Sequence, residues 1–362
     1  PEGKKGTGRD KVKKTDIAVI SFTYRGAELA EHIQEAMDAV WSCKLYTKCS
    51  DARAEGIGIS VDQPLAEWTG KQFAAGNALL FIGACGIAVR SIAPHVKDKL
   101  SDVPVLVADE AGQFVIPLLA GHYGGANRLA GELSRALGAT AVLTTATDVN
   151  GLFAVDVFAA SNRLAVAGHD GIARVSAGLL RAGYLTMSVA GECEGEIPPE
   201  VRLVPYPPKE PVDVLVAPQC EAGERCSLWL IPSCLLLGVG CRRGKSEEEL
   251  EAFVRETLEK EKLSSMAVAG IASVDVKADE EGILALAEQL AVPFLTYPAG
   301  RLQCVDGTFT SSGFVAQQVG VDNVCERAAV CAAGEGGRLL VQKTACEGKT
   351  LAIAEKKWSV KF

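Results

Sequence analysis

Apolar residues fall along this chain in two rhythms. Short unbroken runs alternate with stretches in which apolar side chains recur every three or four positions. The runs Asp16–Phe22, Cys43–Thr47, Ala78–Ala84, Pro104–Ala108, Phe114–Ala120 and Thr140–Thr144 predict buried strands. Between them, Leu29, Ile33, Met37 and Val40 predict a helix over about 27–41. Leu65, Trp68 and Phe73 predict another, with Asp62 as its N-cap and Pro64 in its first turn. Ala126, Ala130, Leu133 and Leu137 predict a third. Strand and helix in alternation over about 130 residues are the signature of an open, mostly parallel α/β sheet flanked by helices.

The pattern changes after residue 150. Helical spacing over 156–166 and 171–182 and a strand over 184–190 lead into a proline-rich stretch from Pro198 to Pro211, where central strands and helices are not expected. A second α/β unit begins at Leu235–Gly240. Ser246 and Glu249 form a capping box before a helix carrying Leu250, Phe253, Val254 and Leu258. A strand over 267–276 follows, then a helix capped by Asp279, a strand over 292–297, a helix that Ser311–Ser312–Gly313 precedes, and a further helix over 324–330. Two closing runs, 339–343 and 350–354, lie close enough in sequence to pair. The expected organisation is a lead-in over 1–14, an N-terminal α/β domain over 15–150, a small middle domain with a proline-rich linker over 151–225, and a C-terminal α/β domain over 226–362.

Composition narrows the function. The 362 residues include 48% hydrophobic positions, enough for sizeable cores, and the formal net charge of −8 argues against nucleic acid as a partner. No apolar run reaches the roughly 18 residues of a membrane span, so no membrane partner is expected. Twelve cysteines show no C-x-x-C pair, and the four histidines no H-x-x-x-H pair. The expectation is reduced, cytoplasmic thiols and no protein-bound metal.

Chemistry gathers in the turns. The strand ending at Ala120 runs into Gly121-His122-Tyr123-Gly124-Gly125-Ala126-Asn127-Arg128. Glycines at a helix start can expose N–H groups to an anion, and His122 is suited to proton transfer near neutral pH. A second glycine-rich turn, Gly83–Val89, is followed by Arg90, His95, Lys97 and Lys99. Carboxylates Asp109 and Glu110 end one strand and Asp148 follows another. In a parallel sheet Arg90, Asp109, Glu110, His122, Asn127 and Asp148 all fall at one edge, beyond the carboxyl ends of the strands. In the rear unit Cys241-Arg242-Arg243-Gly244-Lys245 is a basic turn, and Asp275 and Lys277 end the next strand. Gly238, Gly240 and Gly244 match a dinucleotide fingerprint only loosely, without the acidic residue that should follow. Cys85 and Cys241 stand at helix starts, where a thiol pKa falls, although a small packing residue is the plainer reading of both.

Three segments, GIAVRSIAPHVKDK, VLVADEAGQFVIPLLAGHYGGANRLAGEL and GATAVLTTATDVNG, together resemble the N-terminal part of the CbiG family of cobalt-precorrin-5A hydrolases. LGVGCRRGKSEEEL, IASVDVKADEEGILALAEQL and VCERAA resemble that family's C-terminal domain, which CobE proteins share. The resemblance implies a cobalt-bearing tetrapyrrole substrate whose δ-lactone is opened by water, with loss of a meso carbon as acetaldehyde, to give cobalt-precorrin-5B in anaerobic cobalamin biosynthesis. It implies no cofactor held by the protein, since cobalt arrives in the substrate, and neighbouring enzymes of the pathway as candidate partners. For that chemistry we assign His122 as general acid/base with Asp109 or Glu110 as its partner, and the N–H groups of Gly124 and Gly125 to an oxyanion. Arg90, Gly121, Asn127, Arg128, Asp148, Cys241, Arg242, Arg243, Lys245, Asp275 and Lys277 are assigned to the substrate, the cations to its carboxylates. The alternative is a non-catalytic tetrapyrrole carrier, in which His122 is incidental.

Overall fold

The structure, a computed structural model, describes residues 15–98, 101–168, 170–219, 226–310 and 323–362. The lead-in, Lys99, His169, residues 220–225 and Ser311–Gly313 lie outside them. The chain divides into two compact units, one running to Val157 and the other from Phe158.

The first unit is built on β1 (Thr15–Ser21), α1 (Tyr24–Met37), β2 (Trp41–Thr47), α2 (Ser50–Ala54), β3 (Ile59–Ser60), α3 (Leu65–Ala74), β4 (Ala78–Ile82), α4 (Cys85–Ile92), β5 (Val105–Ala108), β6 (Phe114–Leu119), α5 (Ala126–Leu137), β7 (Thr140–Ala141), α6 (Ala146–Val149) and α7 (Val155–Ser161). Its seven-stranded sheet has the order β3-β2-β1-β4-β5-β6-β7. The pleat sends alternate residues of β1 to opposite faces. Ile17 and Val19 pack with Ile33, Leu129 and Leu133 from α1 and α5, while Ala18 and Ile20 pack with Trp68, Ala88 and Ile92 from α3 and α4. Burial on both faces explains why these strands read as unbroken apolar runs.

One strand departs from the expectation. β5 and β6 pair antiparallel, whereas β6 and β7 pair parallel. Only Asp109–Gln113 joins β5 to β6, and a parallel crossover needs a dozen residues or more. Asp109 fixes the turn: its carboxylate accepts the N–H groups of Ala111, Gln113 and Phe114 at 2.9, 2.9 and 2.6 Å. The end of β6 therefore points to the opposite edge of the sheet from the ends of β1, β4 and β5.

Smaller departures have local causes. α1 starts earlier and stops at Met37, because Thr23 accepts the Gly26 N–H as its N-cap and Trp41 opens β2. Asp62 is not a cap. It pairs with Arg53, and Pro64 occupies the cap position of α3. The helix expected over 156–166 ends at Ser161.

The second unit holds β8 (Ala165–Ala167), α8 (Asp170–Ala182), β9 (Leu185–Val189), β10 (Glu192–Glu194), β11 (Val201–Val204), β12 (Val212–Val216), β13 (Cys226–Ile231), β14 (Leu235–Cys241), α9 (Glu247–Lys260), β15 (Val268–Val274), α10 (Glu281–Gln289), β16 (Phe294–Tyr297), α11 (Ala299–Gln303), α12 (Val324–Ala333), β17 (Arg338–Cys346), β18 (Lys349–Glu355) and β19 (Ser359–Lys361). Two five-stranded sheets form, β11-β9-β12-β13-β8 and β16-β15-β14-β18-β17, and β10 pairs with β19 near the end of the chain. β11 lies among prolines and takes a sheet edge, where missing N–H donors do least harm. β17 and β18 pair antiparallel, as their spacing suggests.

α12 lies so close to β14 that a methyl on Gly238 would sit 1.8 Å from the Cys325 carbonyl oxygen. Gly238 is a packing glycine, not part of a phosphate loop. Glu326 of α12 is wholly buried and accepts from Thr310 N–H, Thr310 Oγ1 and Lys343 N–H at 2.8, 2.9 and 2.7 Å. A buried carboxylate persists only with such a full donor set.

Candidate functional site

At the outward end of β6 the chain turns sharply. Ala120 adopts φ 54°, and Gly125, at φ 89°, is the N-cap of α5. A methyl on Gly124 would lie 2.4 Å from the Ala120 Cβ, and one on Gly121 would lie 2.8 Å from Asn127 Oδ1. These glycines are therefore required for close packing. The Gly125 N–H donates to the His122 carbonyl at 2.9 Å, and Ala126 and Asn127 donate back to the carbonyls of Ala120 and Gly121. The expected oxyanion donor at Gly125 is thus already engaged. For the Gly124 N–H, among the described residues, no hydrogen-bond partner is found.

This turn presents His122 to two carboxylates. Nε2 lies 2.7 Å from Asp148 Oδ2, and Nδ1 lies 3.1 Å from Asp156. Asn127 Nδ2 donates to the same Asp148 oxygen at 2.8 Å and to Thr145 Oγ1 at 3.0 Å. Thr147 Oγ1 stands 3.4 Å from Nε2. β7 runs parallel to β6, so α6, which follows β7, brings Asp148 and Thr147 to the same edge. α7 then brings Asp156.

With a carboxylate at each nitrogen, the imidazole is an imidazolium at neutral pH. The hydrogen bond to Asp156 raises its pKa, burial opposes it, and Asp148 adds to the rise, giving about 9 against an ordinary 6.5. The side chains of His122 and Asp156 are each 10% exposed, and that of Asp148 is 27% exposed.

The assigned partners of His122 are corrected by this geometry. Asp109 caps the β5–β6 turn. Glu110 accepts from Thr23 Oγ1 at 2.7 Å, beside the start of α1. Arg90 is exposed on α4 and makes a long contact to the Gly86 carbonyl at 3.4 Å. All three sit at the edge where β1, β4 and β5 end. His122, Asn127 and Asp148 sit at the other. Strands of four to seven residues separate the two edges by roughly 13–23 Å at about 3.3 Å per residue. Arg128 is exposed and pairs with Glu132 within α5.

In the second unit, β14 and β15 are parallel. Their ends bring Cys241–Lys245 and Asp275–Lys277 to one edge. Most of the cations there are already paired. Lys277 Nζ lies 2.7 Å from Glu280, Lys245 meets Glu249, and Arg243 lies 3.6 Å from Asp279. Burial pulls the Glu280 carboxyl up, but Lys277 and the Gly244 N–H outweigh it and hold it below its usual range. Asp279 is therefore an ion-pair partner and Glu280 takes the cap position of α10. An open hollow of about 630 Å³ beside this turn is lined by Arg243 and Lys245 but also by Glu247, Glu248, Asp279, Glu280 and Glu281. Arg242 has no carboxylate partner among the described residues. Asp275 is exposed, in a short turn that ends β15. Burial raises the Cys241 thiol, opposite to the lowering that its place in a turn suggested. Among the described residues no group of three or more His, Cys, Asp or Glu could hold a metal ion, and no helix is long and apolar enough to cross a membrane.

The profile described as cobalamin synthesis G N-terminal matches residues 67–148, and the one described as cobalamin synthesis G C-terminus matches residues 235–354. A cobalt-precorrin-5A hydrolase of Salmonella typhimurium is 35% identical over 361 residues, covering 94% of this chain and 98% of the relative. The chain belongs to the cobalamin synthesis G family. A cobalt-precorrin-5A hydrolase of Priestia megaterium is 29% identical, covering 91% of this chain and 92% of the relative. The protein CobE of a Sinorhizobium species is 34% identical over 121 residues, covering 33% of this chain and 79% of the relative.

The family's N-terminal match includes His122, Asn127 and Asp148 but stops short of Asp156. Nothing in the sequence around Asp156 singles it out, since it reads as an ordinary acidic residue in the first turn of a helix. Thr145 and Thr147 were visible only as the polar end of a strand. Glu326, inside VCERAA, reads as a solvated helix position and is instead wholly buried.

Proposed function

We propose that this chain hydrolyses cobalt-precorrin-5A, opening its δ-lactone and releasing acetaldehyde to leave cobalt-precorrin-5B. The reading is supported by membership of the cobalamin synthesis G family and by the names of two relatives aligned over more than nine-tenths of the chain. The observation that carries it is the His122 cluster. A partly exposed carboxylate, Asp148, gripped by a histidine and an amide with a second carboxylate behind the ring, serves proton transfer better than it serves packing.

Lactone hydrolysis needs a base for water, a donor for the carbonyl oxygen as it gains charge, and an acid for the departing oxygen. The His122 cluster supplies the proton chemistry and the Gly124 N–H the donor. Release of acetaldehyde then follows when the exposed hydroxyl loses its proton, the carbonyl forms, and the C–C bond electrons pass to the macrocycle. Cobalt is part of the substrate, so this reading asks for no protein cofactor. Arg128, exposed in the first turn of α5 on the same unit as His122, is a cation for the substrate's carboxylates, because guanidinium pairs with carboxylate in two parallel bonds. In this reading the chain works in the cytoplasm beside other enzymes of the same pathway.

Incubation of the purified chain with cobalt-precorrin-5A tests this directly, with acetaldehyde read through alcohol dehydrogenase and NADH oxidation. Stoichiometric release supports hydrolysis. A bound macrocycle with no acetaldehyde refutes it and favours a carrier.

A further inference from the structure

We propose that Asp148 is the catalytic base of this site, and that His122 and Asp156 are positioning residues that do not touch the substrate. The proposal rests on the hydrolase reading above and deepens it.

Access and hydrogen-bond accounting carry the argument. Both ring nitrogens of His122 are committed, Nδ1 to Asp156 and Nε2 to Asp148. For His122 to exchange a proton with water, a 2.7 Å bond between charged groups would have to break first. Asp156 faces Nδ1 with both its oxygens, each at 3.1 Å, and is as buried as the ring. Asp148 is the most exposed member of the trio. Its Oδ2 takes two donors, His122 Nε2 and Asn127 Nδ2. Its Oδ1 has no hydrogen-bond partner among the described residues. Two donors on one oxygen fix the plane of the carboxylate and leave the lone pairs of the other turned outward. The charged groups acting on His122 are Asp156 and Asp148, and its neutral polar neighbour on α6 is Thr147. An imidazolium so held cannot accept a proton, but with Asn127 it keeps the Asp148 carboxylate oriented.

The step balances. A water oxygen bonds to the lactone carbonyl carbon as its proton passes to Asp148 Oδ1, and the C=O π pair moves to the carbonyl oxygen. That pair returns as the ring C–O bond breaks, and Asp148 gives its proton to the departing oxygen. One water is consumed, a hydroxy acid results, and Asp148 is again a carboxylate.

The test uses the full chain with cobalt-precorrin-5A, reading acetaldehyde for turnover and the macrocycle's absorption spectrum for binding. Asp148→Asn keeps an acceptor for Nε2–H, so the fold and binding are expected to persist while kcat falls by about 10²-fold or more. Asp148→Glu, which restores the carboxylate, recovers part of the rate. His122→Gln retains measurable turnover, with the loss in kcat and not in KM. In the wild-type chain the rate stays level or declines as pH rises toward 9, where His122 loses its proton. A base at His122 would instead make the rate climb through that range. Full activity in Asp148→Asn, or a rate that climbs as His122 deprotonates, overturns the assignment. A wild-type chain that releases no acetaldehyde removes both readings, whereas an active wild type beside an active Asp148→Asn removes this one alone.

Discussion

His122 Nε2 stands 2.7 Å from Asp148 Oδ2, although 25 residues separate the two along the chain. The contact exists because β6 and β7 run side by side in the same direction, so the turns that follow them emerge together. Together with the Asp156 bond, which raises the ring's pKa more, it keeps the ring charged and so makes stability depend on pH.

His122 is protonated in the folded chain up to about pH 9, and in the unfolded chain only up to its ordinary 6.5. The stabilisation is complete below about pH 6.5 and is lost as pH rises through 9, because the folded state binds the extra proton in that window. Urea unfolding between pH 6 and pH 9.5 should show stability falling with pH by on the order of 3 kcal/mol. His122→Gln should flatten the curve over the same range, and an unchanged slope would refute the protonated ring.

Gly121→Ala tests the amide without altering any charge. The added methyl would lie 2.8 Å from Asn127 Oδ1, so Asn127 must swing off Asp148 and Thr145. Acetaldehyde release should fall about tenfold or more, the loss expected when a catalytic group is misplaced by an ångström. Circular dichroism should still report a folded chain. Wild-type turnover in this variant would show that the Asn127 bond is dispensable.

Asp109→Ala separates a turn residue from a catalytic one. The variant leaves three backbone N–H donors without their acceptor, at a cost of about 1–2 kcal/mol for an exposed turn. The melting temperature should drop while turnover per folded molecule stays at the wild-type value. A large loss of turnover at normal stability would return Asp109 to the chemistry.

Lys277→Ala should destabilise the second unit. Glu280 is 6% exposed and would keep the Gly244 N–H but lose its ammonium. Removing one partner of a largely buried pair costs about 3 kcal/mol. Lys277→Ala with Glu280→Gln should recover much of that in urea unfolding. No recovery would mean that the lysine acts through packing of its stem instead.

The sheet was legible in the sequence because strands buried on both faces must be apolar throughout, as Val19, Leu80 and Val107 are. The site was only half legible. His122 stood out by residue type and by its glycines. Its partners did not, because proximity at a sheet edge depends on strand direction, and direction is not written in an apolar run. The signal that was present is the five-residue interval between Ala108 and Phe114. It is too short for a crossover and therefore calls for a hairpin. Counting it would have moved Asp109, Glu110 and Arg90 away from His122 and left Asp148 beside it. Asp156 carried no comparable signal. In the second unit the basic turn after β14 was legible by composition, but the ion pairs that engage most of its charge were not.

Gly238 has a consequence for reading relatives of this chain. A side chain at that place would collide with the Cys325 carbonyl, so a descendant can alter the residue only by lifting a whole helix from the sheet. An unchanging glycine there would report clearance. A search that weighs invariance as a mark of reactivity would be drawn to a packing contact.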